Sequence, residues 1–381
     1  MYVPFVDLKL QYRNIKSEID ASIQRVLDSA SFVMGPHVEQ FEKAFAGMNG
    51  AAYCVGTSSG TDSLHLALWA VGIGRNDRVL LPVNTFIATA EAVSLCGATP
   101  VFVDCDENFT IDVAAIGDLV ASGPPVRAIV PVHLYGQPVD MDAILDIAGT
   151  HGLIVVEDAC HADLARWQDG AGAWRTAGTA GSAGAFSFFP GKNLGAYGEA
   201  GAVVTNDPAL YKKMRHIHNH GSMKRYEHVM IGHNYRMEGI QGAVLSVKLN
   251  YIAEWTRKRQ EHAEQYRRLL ENVEEATAPQ VLAGRTHAFH LYVVRVQAEA
   301  RGELIKYLQA HGIATGLHYP TPLHLQKAYA HLGYKKGDFP KAEKFADEIL
   351  SLPMYPELTE TQIYCVVETM KDFFVGRIRH G

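Results

Sequence analysis

The sequence predicts an α/β protein: a large domain on a mostly parallel mixed sheet flanked by helices, then a smaller C-terminal α+β domain. Three observations predict it. Short apolar, strand-like runs alternate with helical patterns through the first 160 residues, as right-handed crossovers require. The pattern changes character after about residue 250. The 381 residues, 48% of them hydrophobic, suffice for one large core and a second smaller one.

The elements follow in order. Residues 17–30 carry Ile19, Ile23, Val26 and Leu27 on one helical stripe. Residues 53–74 read as strand, polar turn and helix, with Leu64, Ala67, Leu68 and Val71 at helical spacing. Strands are predicted at 77–82, 99–106, 128–134 and 153–159, and helices at 87–97 and 141–152. One long helix is predicted from Met237 to about Asn272, with Ile240, Ala243, Val244, Val247, Tyr251 and Trp255 as its stripe. A strand at 290–297 and helices at 302–312 and 341–351 complete the reading; in the last, Ala342, Phe345, Ala346, Ile349 and Leu350 form the apolar face. The domain boundary is set at residue 250, giving domains 1–250 and 251–381.

Composition narrows the function classes. A net charge of −6 without a basic patch argues against nucleic acid, and the run 256–260 reads as a helix face. No apolar stretch is long enough to span a membrane. The N-terminus lacks the apolar segment of a signal peptide. Five cysteines without a CxxC pair fit reduced thiols and a cytoplasmic protein. His216, His218 and His220 lack accompanying ligands at metal-site spacing, so no metal is expected. No dinucleotide fingerprint occurs, since 170–175 ends in Arg175.

Three loops carry chemistry at predicted strand ends, where such sheets bind ligands. In "GTSSGTDS" (56–63), Gly60 and Thr61 open a helix and fit either a phosphate cradle or a cap. In "VVEDACHA" (155–162), Asp158 fits a partner for a protonated pyridine nitrogen, a helix cap or an ion pair. In "FSFFPGKNLGAYGEAGAVVTND" (186–207), Lys192 is a nucleophile or a surface charge. It is not a P-loop lysine, because Phe186 occupies the first glycine position and Asn193 follows. Ser187 lies five residues before the lysine. A phosphate cradle, an acid and an imine-forming lysine together are the parts of a pyridoxal-phosphate site.

The chain resembles the DegT/DnrJ/StrS family of nucleotide-sugar aminotransferases, of the fold-type-I pyridoxal-phosphate class, over essentially all its length. The likeness rests on the three loops above and on "PFVDLKLQY", "PVNTFIATAEA", "PVHLYGQPVDMD", "GHNYRMEGIQGAVLSVKL", "GLHYPTPLHLQKAY" and "LPMYPELTE", in this order and spacing. It implies a cofactor that cycles between pyridoxal and pyridoxamine phosphate, with Lys192 as its covalent anchor and proton shuttle. It implies Asp158 at the pyridine nitrogen, Phe86 stacked on the ring, His161 beside the ring hydroxyl, and Gly60, Thr61 and Ser187 at the phosphate. Asn234 would complete the phosphate site of a neighbouring subunit, making a homodimer with shared sites. His318, Tyr319 and His324 would lie near the sugar nucleotide. The lysine favours transamination, since dehydratase relatives carry histidine there. L-glutamate is the implied amino donor and a nucleotide-linked, dTDP-type, 3-keto-6-deoxyhexose the implied acceptor. His161, where many relatives carry Gln, points instead to 4-keto amination. Asp163 and Leu164 depart from the family's usual run.

Overall fold

The computed structural model describes residues 1–378. The apolar runs become β1 (Tyr53–Thr57), β2 (Arg78–Pro82), β3 (Thr99–Val103), β4 (Ala128–Ile129) and β5 (Ile154–Asp158). A hairpin of β6 (Arg166–Gln168) and β7 (Trp174–Thr176) follows, then β8 (Ala183–Ser187) and β9 (Gly201–Thr205). The central sheet has seven strands in the order β1-β9-β8-β5-β4-β2-β3. Only β9 runs against the rest. Strands covered on both faces read as unbroken apolar runs, which is why the sequence showed them.

Helices α1 (Leu8–Asn14), α2 (Lys16–Ser29), α3 (Pro36–Asn49), α4 (Gly60–Ala70), α5 (Ile87–Leu95), α6 (Val113–Ser122), α7 (Met141–His151), α8 (Pro208–Ile217) and α9 (Gly239–Lys248) surround it. On one face Leu64, Val93 and Met214 of α4, α5 and α8 meet Val79 and Val203. On the other, Phe41 and Val244 of α3 and α9 meet Phe186 and Val204, and Ile144 of α7 meets Leu80 and Ile129. A second antiparallel sheet of β12 (Ala276–Thr277), β13 (Tyr292–Val296) and β14 (Ile349–Leu352) follows a small hairpin, β10 (Ser222–Lys224) with β11 (Glu227–His228). Its core joins Tyr266, Leu304 and Val366 from α10 (Ile252–Leu270), α11 (Ala298–Ala310) and α13 (Glu360–Ile378).

Four expectations are corrected. The long helix from Met237 is two helices, α9 and α10, separated at Leu249–Tyr251. The strand at 128–134 stops at Ile129; Pro131 has no N–H to continue a ladder. The helix at 341–351 is α12 (Pro340–Glu348), and Ile349 and Leu350 belong to β14. Leu27, assigned to a buried stripe, is 48% exposed.

One carboxylate locks the lower sheet. Glu157 of β5 accepts hydrogen bonds from the backbone N–H groups of Gly178 (2.8 Å), Ala180 (2.7 Å) and Gly181 (2.7 Å). His133 Nδ1 accepts from Val139 N (3.1 Å), so its Nε2–H donates to Glu157 (2.9 Å). Side chains alternate along a strand, so the next residue, Asp158, faces the other way.

Candidate active site

The carboxyl ends of β1, β5 and β8 open into a cavity of about 540 Å³. Of the sequence-predicted residues, Gly60, Thr61, Phe86, Asp158, His161, Ser187, Lys192, His318 and Tyr319 line it.

Gly60 begins α4, and Ser59 caps the helix by accepting from Asp62 N (3.1 Å). The cap is therefore not Thr61, which remains at the cavity wall. A Cβ on Gly60 would lie 2.5 Å from Ser187 Cβ, so only glycine lets the helix N-terminus approach the end of β8. The helix N-terminus and the Ser187 hydroxyl form a cradle for an anion.

Asp158 is 5% exposed at the end of β5. Thr89 Oγ1 donates to its Oδ2 (2.8 Å) and Cys160 N to its Oδ1 (3.1 Å), while Thr85 and Thr89 hydroxyls meet at 3.0 Å. These bonds fix the carboxylate at the cavity floor. Phe86, just before α5, leaves its ring 50% exposed and 5.3 Å from the Tyr319 ring. An apolar ring open to a polar-floored cavity suits a flat aromatic ligand.

Lys192 lies in the turn after β8. Burial lowers the pKa of its amine; Cys160, Asp158 and Asp163 oppose that effect. The turn is held from below by α9. Lys248 Nζ donates to Gly195 O (2.6 Å) and lies 4.4 Å from the Tyr197 ring centroid. Burial lowers the Lys248 pKa to about 7.

His161 is kept neutral by burial, then by Lys192 and His318. Its Nδ1 accepts from Tyr135 N (3.2 Å), which places the ring proton on Nε2. Opposite, His318 is gripped by Ser351 Oγ at its Nδ1 (2.8 Å) and by stacking on Phe5 (5.7 Å, 19°). Burial lowers its pKa to about 4.

Two predicted residues stand apart. His324 is buried against Phe339 with its Nε2 bonded to Glu343 (2.9 Å), away from the cavity. A 3-10 turn at Leu323–Leu325 carries it into that contact, so its substrate role is withdrawn. Asn234 is exposed outside this cavity and accepts from Arg236 Nε (2.8 Å). Sequence reasoning missed Thr85, Thr89, His290 and Ser351; Thr85 and Thr89 stand in the quoted "NTFIATA" run, at the i, i+4 spacing that aligns two hydroxyls.

An anion cradle that a Cβ would fill, a fixed carboxylate, an open aromatic face and a half-buried lysine fit pyridoxal phosphate. The chain belongs to the DegT/DnrJ/EryC1/StrS aminotransferase family, which matches residues 13–371. It is a pyridoxal-phosphate-dependent aminotransferase. Among its relatives is a dTDP-3-amino-3,4,6-trideoxy-alpha-D-glucose transaminase of Streptomyces venezuelae, 42% identical over 97% of this chain and 96% of that one. Another, named a pleiotropic regulatory protein, from Geobacillus stearothermophilus, is 44% identical over 98% and 99%. The crystal structure of S. venezuelae DesV in complex with a ketimine intermediate superposes with a TM-score of 0.93 at 42% identity, covering 98% of each chain.

Proposed function

We propose that the chain transfers the amino group of L-glutamate to a dTDP-linked 3-keto-6-deoxyhexose. The supporting observation is that Lys192, Asp158 and the Gly60–Ser187 cradle converge on one cavity whose far wall is His318 and Tyr319. The name of the S. venezuelae transaminase supports position 3 and the dTDP carrier.

Pyridoxal phosphate, when bound, supplies an electron sink that lets an amino group move between carbon skeletons. Gly60, Thr61 and Ser187 would hold its phosphate, Asp158 its ring nitrogen, Phe86 its ring face and His161, through Nε2–H, its ring hydroxyl. Lys192 would anchor it and, once its amine is free, carry a proton to and from the substrate carbon. Burial favours the neutral, basic form of that amine. His318 and Tyr319 would orient the sugar, and donor and acceptor would take turns in the one cavity.

The reading includes a homodimer in which Asn234 serves the partner's phosphate site. Ile231 (81% exposed), three residues before Asn234, and Tyr226 (82% exposed), in the turn between β10 and β11, supply apolar surface for such a contact. The division into large and small domains is placed at residue 250, and a cytoplasmic setting fits the five free cysteines.

A substrate panel tests the acceptor. Turnover of dTDP-linked 3-keto sugars is expected; turnover of 4-keto sugars alone would replace this reading with the second one, 4-keto nucleotide-sugar or keto-cyclitol amination, which His161 favours. Lys192→Ala should fold and lose transamination. Retained turnover would remove the lysine from its role, and wild-type inactivity on every keto sugar would favour a non-catalytic regulator. Mixed Lys192→Ala and Asn234→Ala subunits should regain activity; no recovery would refute the shared site.

A further inference from the structure

Beside the catalytic cavity lies a second one, of about 240 Å³, that the transamination reading leaves unused. Leu134 and Leu291 line both. Tyr135 lines the second, and its hydroxyl donates to the backbone carbonyl of His318, a residue of the first.

The second cavity forms where residues 134–138 meet the chain that leads into β13. Ala288 N donates to Gly136 O (2.8 Å), which sets the adjoining residues Gln137 and His287 side by side. Both line the cavity, at 3% and 4% exposure. Each is anchored by its acceptor end: Gln137 Oε1 accepts from Leu282 N (2.9 Å), and His287 Nδ1 accepts from Phe289 N (2.9 Å). The first bond fixes the amide, and the second puts the ring proton on Nε2. Stacking on Phe289 (3.9 Å, 10°) holds the imidazole. Two donors are left, the Gln137 Nε2 amide and His287 Nε2–H, and neither has a partner among the described residues. Both nitrogens stay accessible, and the cavity is the space their side chains line.

A donor on a deeply buried side chain is costly when it lacks an acceptor, so an acceptor belongs in this space. Two adjacent donors of fixed orientation match the two oxygens of a carboxylate. Arg295 adds positive charge to the lining. It lies over the Phe345 ring (4.5 Å) and reaches Glu107 (3.4 Å) and Glu348 (3.6 Å) only at long range for an ion pair. Glu107, the acidic residue of the lining, is 67% exposed and also faces Lys341 (3.8 Å). Phe109, Leu134, Leu291 and Val293 make the remaining walls apolar.

We infer that this cavity binds a small carboxylate with an apolar body of single-ring size, its two oxygens held by Gln137 and His287. The volume lies below the roughly 300 Å³ at which sites for larger ligands begin. Burial lowers the His287 pKa to about 3, so the ring offers Nε2–H as a neutral donor and the charge of the site comes from Arg295.

The test titrates benzoate into the cofactor-loaded protein by calorimetry, with benzamide as the uncharged match in shape. Benzoate should bind saturably, and benzamide at least about tenfold more weakly. Gln137→Glu keeps the acceptor for Leu282 N and replaces the donor with a carboxylate; it should weaken benzoate at least about tenfold. Should that variant misfold, His287→Asn decides: it keeps an acceptor near Phe289 N, removes Nε2–H and should weaken benzoate likewise. Unchanged affinity in either folded variant, or equal binding of benzamide, overturns the inference. So does the absence of saturable binding, which would leave the two donors to water. Loss of benzoate binding in His318→Asn with Gln137→Glu unaffected would place the ligand in the catalytic cavity and overturn it as well.

Discussion

Gly60 and Ser187 stand so close that a methyl group on the glycine would fall 2.5 Å from the serine Cβ and 2.8 Å from its Oγ. Both belong to segments that cannot easily retreat, the first turn of α4 and the end of β8. Gly60→Ala should therefore fold with a loss of about 1–3 kcal/mol, the usual penalty of overpacking. Cofactor affinity should drop at least about tenfold, as roughly 1.4 kcal/mol of lost binding implies. Thermal melts and cofactor titration by absorbance check both.

Thr89→Val keeps the shape of the side chain and removes the hydroxyl that donates to Asp158 Oδ2. Oδ2 of the buried carboxylate then loses its partner while Oδ1 keeps Cys160 N, which costs about 1–3 kcal/mol. A lower melting temperature and weaker cofactor binding are expected. An unchanged protein would show that Asp158 needs no support from α5.

Asp163 makes stability depend on pH. Its pKa rises from 3.8 to about 7 through burial, so between those values the folded state holds a proton that the unfolded state has lost. Stability falls as pH rises through this window. Asp163→Asn should match wild type near pH 4 and exceed it above pH 7, by up to roughly 4 kcal/mol at about 1.36 kcal/mol per pH unit. Denaturant melts at the two pH values measure the difference.

Lys248 works in the opposite sense. Its pKa falls from 10.5 to about 7, so between pH 7 and 10.5 the unfolded state binds the extra proton. Wild-type stability should rise across this window relative to Lys248→Met, by up to about 3 kcal/mol between pH 7 and 9.5. Parallel stability curves for the two proteins would show that the lysine keeps its charge beneath Gly195.

Much of this was legible because burial on both faces of the sheet leaves unbroken apolar runs, and because the strand ends carry the chemistry. β2 and β5 appear in the sequence to within a residue at each end, the strand read at β3 runs on three residues too far, and β1 stands within the strand, turn and helix read at 53–74; the loops bearing Gly60, Asp158 and Lys192 follow such strand ends. What stayed hidden depends on tertiary packing. The stripe from Ile240 to Trp255 keeps helical spacing across the break at Leu249–Tyr251, since both helices bury it. Ile349 and Leu350 satisfy a helix face and a buried strand alike. His324 is near the "HYP" motif in sequence, yet a single turn takes it to Glu343. The unpartnered atoms of Asp163 and Arg259 come from segments 96 residues apart, and no local pattern joins them.

The three bonds that Glu157 receives from residues 178, 180 and 181 all come from the main chain. Recognition of this kind is blind to side-chain identity. The glycines there are fixed by close contacts, since a Cβ at Gly178 or Gly181 would strike Phe186 or the Val155 carbonyl. The intervening Thr179 carries no such constraint from the carboxylate. Position 179 can therefore drift in sequence while the segment keeps its path, which makes it a natural place for a substituted residue that carries a label and leaves the opposite, Asp158 side of the strand undisturbed.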